Sequence, residues 1–298
     1  MKANTIKDEF IDLVNKLIEK METSDKKWIK SWSVSRADNL QNFVSKKAYR
    51  GANIFFLQLL MMERGQEAPF FMSFKQAQEK GGKVKKGAKG YPVYFFKILN
   101  KTVTMEDIKT GENVEESINF PLLNKYVVFN IEDIEGIDYE LPVIEKPNEN
   151  QKIERVEQFI KNTNLKLKHG GNRAFYTPVF DYVQMPLLET FTDSNNYYST
   201  LLHELTHWTG AADRLDRQKG KKFGDKQYAI EELIAELGSA FLCSHLDIEI
   251  EECQHPEYLK SWCNSLRENP MILWKVASSA QKAFDYLLNL QLNEMAVA

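Results

Sequence analysis

The sequence predicts an α+β protein of two domains: a mixed α/β N-terminal half, then a C-terminal half with a small β-sheet and a run of helices. Three observations lead there. Apolar side chains recur at helical spacing from Ile6 to Met21, residues from Tyr91 to Asn130 read as strands, and His203-Glu204-Leu205-Thr206-His207 lies within a further helical pattern. A chain of 298 residues, 43% hydrophobic and 12% aromatic, can bury at least one substantial core, and two domains are the expected count. The expected division is residues 1–131, an acidic linker over 132–149, and residues 150–298.

In chain order, Ile6, Phe10, Leu13, Val14, Leu17, Ile18 and Met21 define an opening amphipathic helix with a charged outer face. A polar segment with Trp28 and Trp32 follows, and Lys47-Ala48-Tyr49-Arg50-Gly51-Ala52-Asn53 leads into an apolar run from Ile54 to Met62, the second helix. Ser73-Phe74-Lys75-Gln76-Ala77 opens a short helix that Gly81-Gly82 ends. Tyr91 to Phe96 is a strand, Thr102 to Ile118 alternates weakly around Lys109-Thr110-Gly111 as a hairpin or a β-excursion would, and Lys125 to Asn130 is the last strand of this half. Pro142, Pro147 and a scarcity of apolar anchors make 132–149 a linker.

Beyond it, Ile153 to Ile160 continues a helix, and Gly170-Gly171-Asn172-Arg173 turns the chain into two strands, Ala174 to Tyr176 and Tyr182 to Met185. The helix carrying the two histidines is expected from about Asn196 to Thr209, with Gly210 in the left-handed position past its end. Tyr228 to His245 forms the next helix. Asn269-Pro270 caps and starts a long final helix through about Leu292.

Composition narrows the classes of function. The formal charge of -3, from 39 basic and 42 acidic residues, excludes a wholly acidic DNA mimic and requires any nucleic-acid surface to be local. The N-terminus has no apolar signal core, and charges interrupt every hydrophobic run well before the ~18 residues a membrane span needs, so a cytoplasmic protein without membrane contact is expected. Cys243, Cys253 and Cys263 are odd in number and lack paired C-x-x-C spacing, which fits a reducing compartment. Their ten-residue spacing beside His245 and His255 permits a metal cluster, but buried thiols are the simpler reading.

The densest chemistry lies at His203-Glu204-Leu205-Thr206-His207. On a helix, positions four apart lie roughly 40° from each other, so both imidazoles can reach one metal ion. Glu204 lies off that pair, placed to take a proton from metal-bound water without capturing the metal. Exposed His and Glu on a helix are ordinarily just solvated, but Leu201, Leu202, Leu205 and Trp208 put this helix inside a domain, where unpartnered polar groups are costly. One Zn2+ is the expected cofactor, with other divalent metals compatible. Its third ligand is open between two carboxylates. Glu232 is favoured, with Glu236 one turn on to accept the other ring N–H of a ligand histidine. Asp213 is the alternative, since His203 to Asp213 also reads H-E-x-x-H-x-x-G-x-x-D. Tyr176, Tyr228 and His169 are candidates for stabilising an oxyanion, each with an ordinary packing role as the competing reading.

Between Lys75 and Gly90 six lysines, Lys75, Lys80, Lys83, Lys85, Lys86 and Lys89, face a single acid, Glu79. Phe70, Phe71, Phe74, Tyr91, Tyr94, Phe95 and Phe96 flank them. Cations beside aromatic rings suit phosphate attraction and base stacking; a solvated loop beside core aromatics is the competing reading.

Tyr49-Arg50-Gly51-Ala52-Asn53, Ser73-Phe74-Lys75-Gln76-Ala77 and Gly82-Lys83-Val84-Lys85-Lys86-Gly87 resemble successive motifs of the ArdC-type antirestriction N-terminal domain. Arg173-Ala174-Phe175-Tyr176, Asp181, Pro186, Tyr197-Tyr198, His203 to Gly210 and Ala229 to Phe241 resemble its zincin-like partner domain. The resemblance covers nearly the whole chain. It implies a mobile-element protein that joins a single-stranded-DNA-binding domain to a zinc metallopeptidase-like domain and protects incoming DNA from host restriction. Tyr49, Arg50, Asn53, Lys75, Lys83, Lys85, Lys86 and Lys89 are then the expected DNA contacts, and a host protein substrate or a restriction enzyme a possible second partner. The alternative it leaves is a non-catalytic DNA-binding or restriction-blocking protein with a structural metal. Thr206 stands where the family often has glycine, and Asp213 is unusual.

Overall fold

A computed structural model describes residues 2–24, 40–106, 113–141, 152–217, 226–250 and 258–297. Helix α1, Lys2–Ser24, buries Phe10, Leu13, Val14, Leu17, Ile18 and Met21, the residues whose spacing predicts it. The segment with Trp28 and Trp32 lies outside the described residues. Helix α2, Ala52–Arg64, follows Gly51, whose φ of 59° and ψ of -136° suit only glycine. Almost every side chain of its first three turns is buried, as its unbroken apolar run requires.

Strands β1 (Gln41–Asn42), β2 (Phe70–Met72), β4 (Tyr91–Glu106) and β5 (Asn113–Asn130) form one sheet in the order β1-β2-β5-β4. β4 and β5 pair antiparallel from Tyr91↔Val128 to Glu106↔Asn113, so the expected strands Tyr91 to Phe96 and Lys125 to Asn130 run on without a break into the segment expected between them as one long hairpin; Lys109-Thr110-Gly111 lies outside the described residues. Helix α3, Phe74–Glu79, starts with a capping box between Ser73 and Gln76. Past it, β3 (Lys83–Val84) pairs with β6 (Ile134–Glu135). Ile131 and Ile134 pack with Ala68, Phe70, Met72 and Ala77 in a small second core. The start of the acidic 132–149 segment, expected as linker, is therefore folded against the N-terminal half, because Ile134, with Ile137 partly buried beside it, anchors it; residues 142–151 lie outside the described residues.

In the C-terminal half, helix α4 (Glu154–Lys161) precedes a sheet of order β7-β9-β8, from β7 (Leu167–His169), β8 (Phe175–Thr177) and β9 (Tyr182–Met185). β8 and β9 are the two expected strands, while β7 pairs parallel with β9 and carries too little alternation to be read from sequence. Four helices complete the half: α5 (Ser194–Trp208), α6 (Lys226–His245), α7 (Leu259–Glu268) and α8 (Ile272–Val297). Asp193 caps α5 by accepting the Asn196 N–H at 2.8 Å. Gly210 departs from expectation. It has no positive φ, and its N–H donates to the His207 carbonyl, while Arg214 and Arg217 donate to the Trp208 and Thr206 carbonyls at 2.7 and 2.8 Å. Cationic side chains satisfy the helix end that a left-handed glycine was expected to close.

One hydrophobic core runs through both halves. Phe10 of α1 meets Phe56, Tyr94 and Trp274, and Phe55 stacks on Phe241 with ring centroids 5.5 Å apart. Cys243 and Cys263 are buried free thiols within it, and burial pushes them up to about 12 and about 11 respectively; Cys253 and His255 lie outside the described residues. Among the described residues no helix is long and apolar enough to cross a membrane.

Candidate metal centre and its surroundings

Helices α5 and α6 pack together and turn three donors toward one point. His203 and Glu232 are almost wholly buried and His207 nearly so. The Glu232 Oε2 atom lies 3.4 Å from His203 Nε2 and 3.3 Å from His207 Nε2, and one ligand atom from each residue falls within 4.8 Å of the others. The four-residue spacing on α5 aims both imidazoles the same way, as expected, and α6 supplies the carboxylate.

The charge pattern fits a cation. Burial alone would raise Glu232, but the two histidines outweigh it and hold the carboxyl well below the usual carboxylate range. Burial likewise opposes charge on His207, yet Glu231 and Glu232 raise its imidazole to about 10. The carboxylates thus favour positive charge at this spot, and a metal ion bound there takes the place of the imidazole proton, since histidine ligates as the neutral ring. Two imidazoles and a carboxylate suit zinc and similar divalent ions. Asp213 is not part of this group: its carboxylate is 74% exposed and sits 3.3 Å from Arg214 Nη1.

Glu204 stands beside the centre with little exposure, and its Oε2 accepts the backbone N–H of Tyr176 in β8 at 2.8 Å. Tyr176 is itself fixed. Its hydroxyl lies 3.0 Å from Asp181 Oδ1 and 3.1 Å from Arg214 Nη2, and burial, with Asp181, pushes it up to about 12. Arg214 also pairs with Asp181 and lies over the Trp208 ring at 4.0 Å, tying the β8–β9 turn to the end of α5. Tyr228 adjoins Glu232 one turn away on α6; burial and that carboxylate hold its hydroxyl above the usual phenol range, so it stays a donor. His169 lies elsewhere, stacked on Tyr197 with its Nε2 2.8 Å from the tyrosine hydroxyl, a packing role.

Sequence reasoning missed Glu231. Its Oε1 lies 3.6 Å from His207 Nδ1 and 3.2 Å from Arg217 Nη2, while Arg217 also donates to Thr209 Oγ1 at 2.9 Å. The carboxylate at the second ring nitrogen of His207 is therefore Glu231, itself held by an arginine from beyond α5. Glu236 is buried one turn further along α6. Only the Glu231-Glu232 doublet hinted at this in the sequence.

The expected DNA contacts separate into two places. Lys83, Lys85, Lys86 and Lys89 are exposed, with Lys85 donating to the Glu132 carbonyl at 2.7 Å, and Lys75 is exposed beside Glu79. Tyr49 and Arg50 instead lie against α8, where Arg50 pairs with Asp285; burial pushes Tyr49 up to about 12. Asn53 is buried, and its amide both donates to the Tyr94 carbonyl and accepts the Tyr94 N–H, each at 2.8 Å, so it stitches α2 to β4 where the turn meets α8. Of the flanking aromatics, Phe71, Tyr91 and Tyr94 are core, whereas Phe95 and Tyr126 are 55% and 58% exposed with ring centroids 5.3 Å apart.

A buried two-histidine, one-carboxylate centre on paired helices, with a glutamate held next to it by an edge strand, defines a zincin-like protein. The family described as zincin-like metallopeptidase matches residues 154–279, and the N-terminal domain of anti-restriction factor ArdC matches residues 7–129. The metal-free antirestriction ArdC protein from the R388 plasmid is similar at 33% identity and a TM-score of 0.78, covering 95% of this chain and 98% of that one. Its Mn(II)-bound form is similar at 32% identity and a TM-score of 0.76, over 94% and 97% of the two chains. A DNA primase TraC of Escherichia coli is 34% identical over 289 residues, 93% of this chain but 19% of the primase, so the chain spans about a fifth of that relative. The chain belongs to the ArdC antirestriction family.

Proposed function

We propose that this protein shields single-stranded DNA of a mobile element from host restriction in the cytoplasm, holding it on the N-terminal half, and that its C-terminal half is a one-metal peptidase acting on a host protein. His203, His207 and Glu232 would hold the ion, with zinc the best match to the donors. The observation that carries the reading is Glu204, fixed by the Tyr176 N–H at 2.8 Å beside three converging donor residues.

When bound, the metal supplies Lewis-acid polarisation of a carbonyl and lowers the pKa of water. Glu204 takes the proton from the attacking water and returns it to the leaving amine nitrogen. The Tyr176 N–H keeps one carboxylate oxygen oriented and leaves the other for that transfer. Tyr228, kept protonated, offers a hydroxyl donor to developing oxyanion charge. Strand β8 ends its sheet next to α5 and provides an edge along which an extended peptide lies. Glu231 and Arg217 hold His207 in orientation, and Glu236, buried one turn further along α6, is assigned the matching role toward His203.

The deep burial of His203 and Glu232 favours a second reading, in which the metal is structural and protection comes from DNA coverage alone. Glu204→Gln separates the two. The substitution should leave metal content unchanged and abolish peptide cleavage; if protection of DNA in a restriction assay is unaltered, the peptidase has no part in it.

A further inference from the structure

Between the turn at Tyr49 to Asn53 and helix α8 lies a cleft of about 420 Å³, and an adjoining one of about 280 Å³ shares Tyr49, Arg50, Gln281 and Asp285 with it. We infer that this cleft takes one nucleotide of single-stranded DNA, base against Tyr49, Phe95 and Trp274 and phosphate at Arg50 and Lys282, so that a helix of the zincin-like half completes the DNA site. The inference rests on the proposed single-stranded-DNA binding and adds where the strand is gripped and by which half.

The cleft is built rather than incidental. Gly51 turns the chain with a backbone conformation that only glycine tolerates, and its N–H donates to Gln281 Oε1 at 3.0 Å. Gln281 Nε2 donates in turn to Asp285 Oδ1 at 3.1 Å, and the other Asp285 oxygen holds Arg50. Three side chains of α8 and the turn thus fix one another and hold the walls in place. Its volume lies in the range of roughly 300–1,000 Å³ typical of small-molecule sites.

Its chemistry discriminates among ligands. Arg50 and exposed Lys282 give two cations against the single carboxylate of Asp285, a net attraction for phosphate. A site for a bare anion has no use for that carboxylate, whereas a nucleobase has ring and exocyclic N–H groups that Asp285 and Gln281 can accept. Aromatic side chains on the walls supply stacking that any base satisfies. The exposed pair Phe95 and Tyr126 continues the aromatic surface outward from the cleft, where a neighbouring nucleotide of the same strand would lie.

The test uses the full chain and a short labelled oligodeoxynucleotide. Lys282→Glu reverses a phosphate contact, and Ala48→Trp, at an exposed mouth residue, fills the cleft. Each should weaken binding roughly tenfold or more, the loss of one stacked base and its phosphate. Substituting 5-bromodeoxyuridine and irradiating should crosslink peptides containing Tyr49 and Trp274, a readout that does not depend on any variant folding. If both variants bind as tightly as the parent while Lys83→Glu with Lys86→Glu releases the strand, the cleft is not the grip, although DNA binding itself stands. Crosslinks confined to the lysine loop would overturn the inference in the same way. A parent chain that binds no single-stranded DNA would remove the proposed function and this inference together.

Discussion

Thr206 and Gly238 show how a single pair sets the geometry of the metal centre. A methyl group added at Gly238 would fall 2.5 Å from Thr206 Cγ2, closer than atoms tolerate, so glycine on α6 is what lets threonine sit on α5. Gly238→Ala should cost about 1–3 kcal/mol in a denaturant melt and weaken metal binding, because the helices carrying the donors are pushed apart. Thr206→Gly in the same chain should restore both; failure of that rescue would place the effect elsewhere. Asn53 makes a second residue-scale test. Asn53→Ala leaves the Tyr94 N–H and carbonyl buried without their partner, at about 1–3 kcal/mol of stability. Because Tyr94 engages both amide atoms, the folded variant should bind DNA with parental affinity, and a loss of affinity without a loss of stability would make Asn53 a direct DNA contact. Glu231→Gln should lower metal affinity by roughly 10–100-fold, as carboxylates behind ligand histidines do, measured by competition with a chelator.

At the scale of elements, most helices with a buried face were legible. The α1 stripe and the four-residue histidine spacing on α5 follow from helical pitch alone. Short elements were legible only where a local signal marks them: the Ser73–Gln76 cap announces α3 and the turn before Tyr182 announces β8 and β9, but β7 has three residues and takes its identity from pairing with β9, and α7, which buries one face through Leu259, Trp262, Cys263 and Leu266, went unread. Two helices also decide which donors converge. Glu232 reaches the histidines because α6 packs on α5, and Asp213 turns away because Arg214 holds the following turn against Trp208 and Asp181. Glu232→Ala should therefore strip metal from the purified protein, whereas Asp213→Ala should retain full stoichiometry by elemental analysis. The reverse result would reassign the third ligand.

For the whole molecule, the shared core matters more than the expected linker. Phe10, Phe56 and Tyr94 pack into the same cluster as Leu205, Phe241 and Leu273, so neither half buries its apolar surface alone. Burial of each such side chain is worth ~1.5–3 kcal/mol, enough in sum to couple the halves. Thermal unfolding should show one transition by both calorimetry and circular dichroism; two separated transitions would show independent domains. Because the donors come from two helices that must be folded to meet, chelation should lower the Tm of metal-loaded protein. A metal present at 100 times its Kd adds about 2.7 kcal/mol to the folded state. An unchanged Tm would mean no metal is bound there.

The sequence by itself determined what depends on local spacing: the histidine pair with its offset glutamate, the amphipathic helices, the β4–β5 hairpin and the order of motifs that marks the family. Tertiary structure alone decided which carboxylate stands beside the histidines, that Glu231 backs His207, that Asn53 ties α2 to β4, and that α8 walls a cleft behind Arg50. Periodicity reports which face of an element is buried, but not against what. Partners such as Arg50 and Asp285, or His207 and Glu232, are far apart along the chain and meet only when the helices pack.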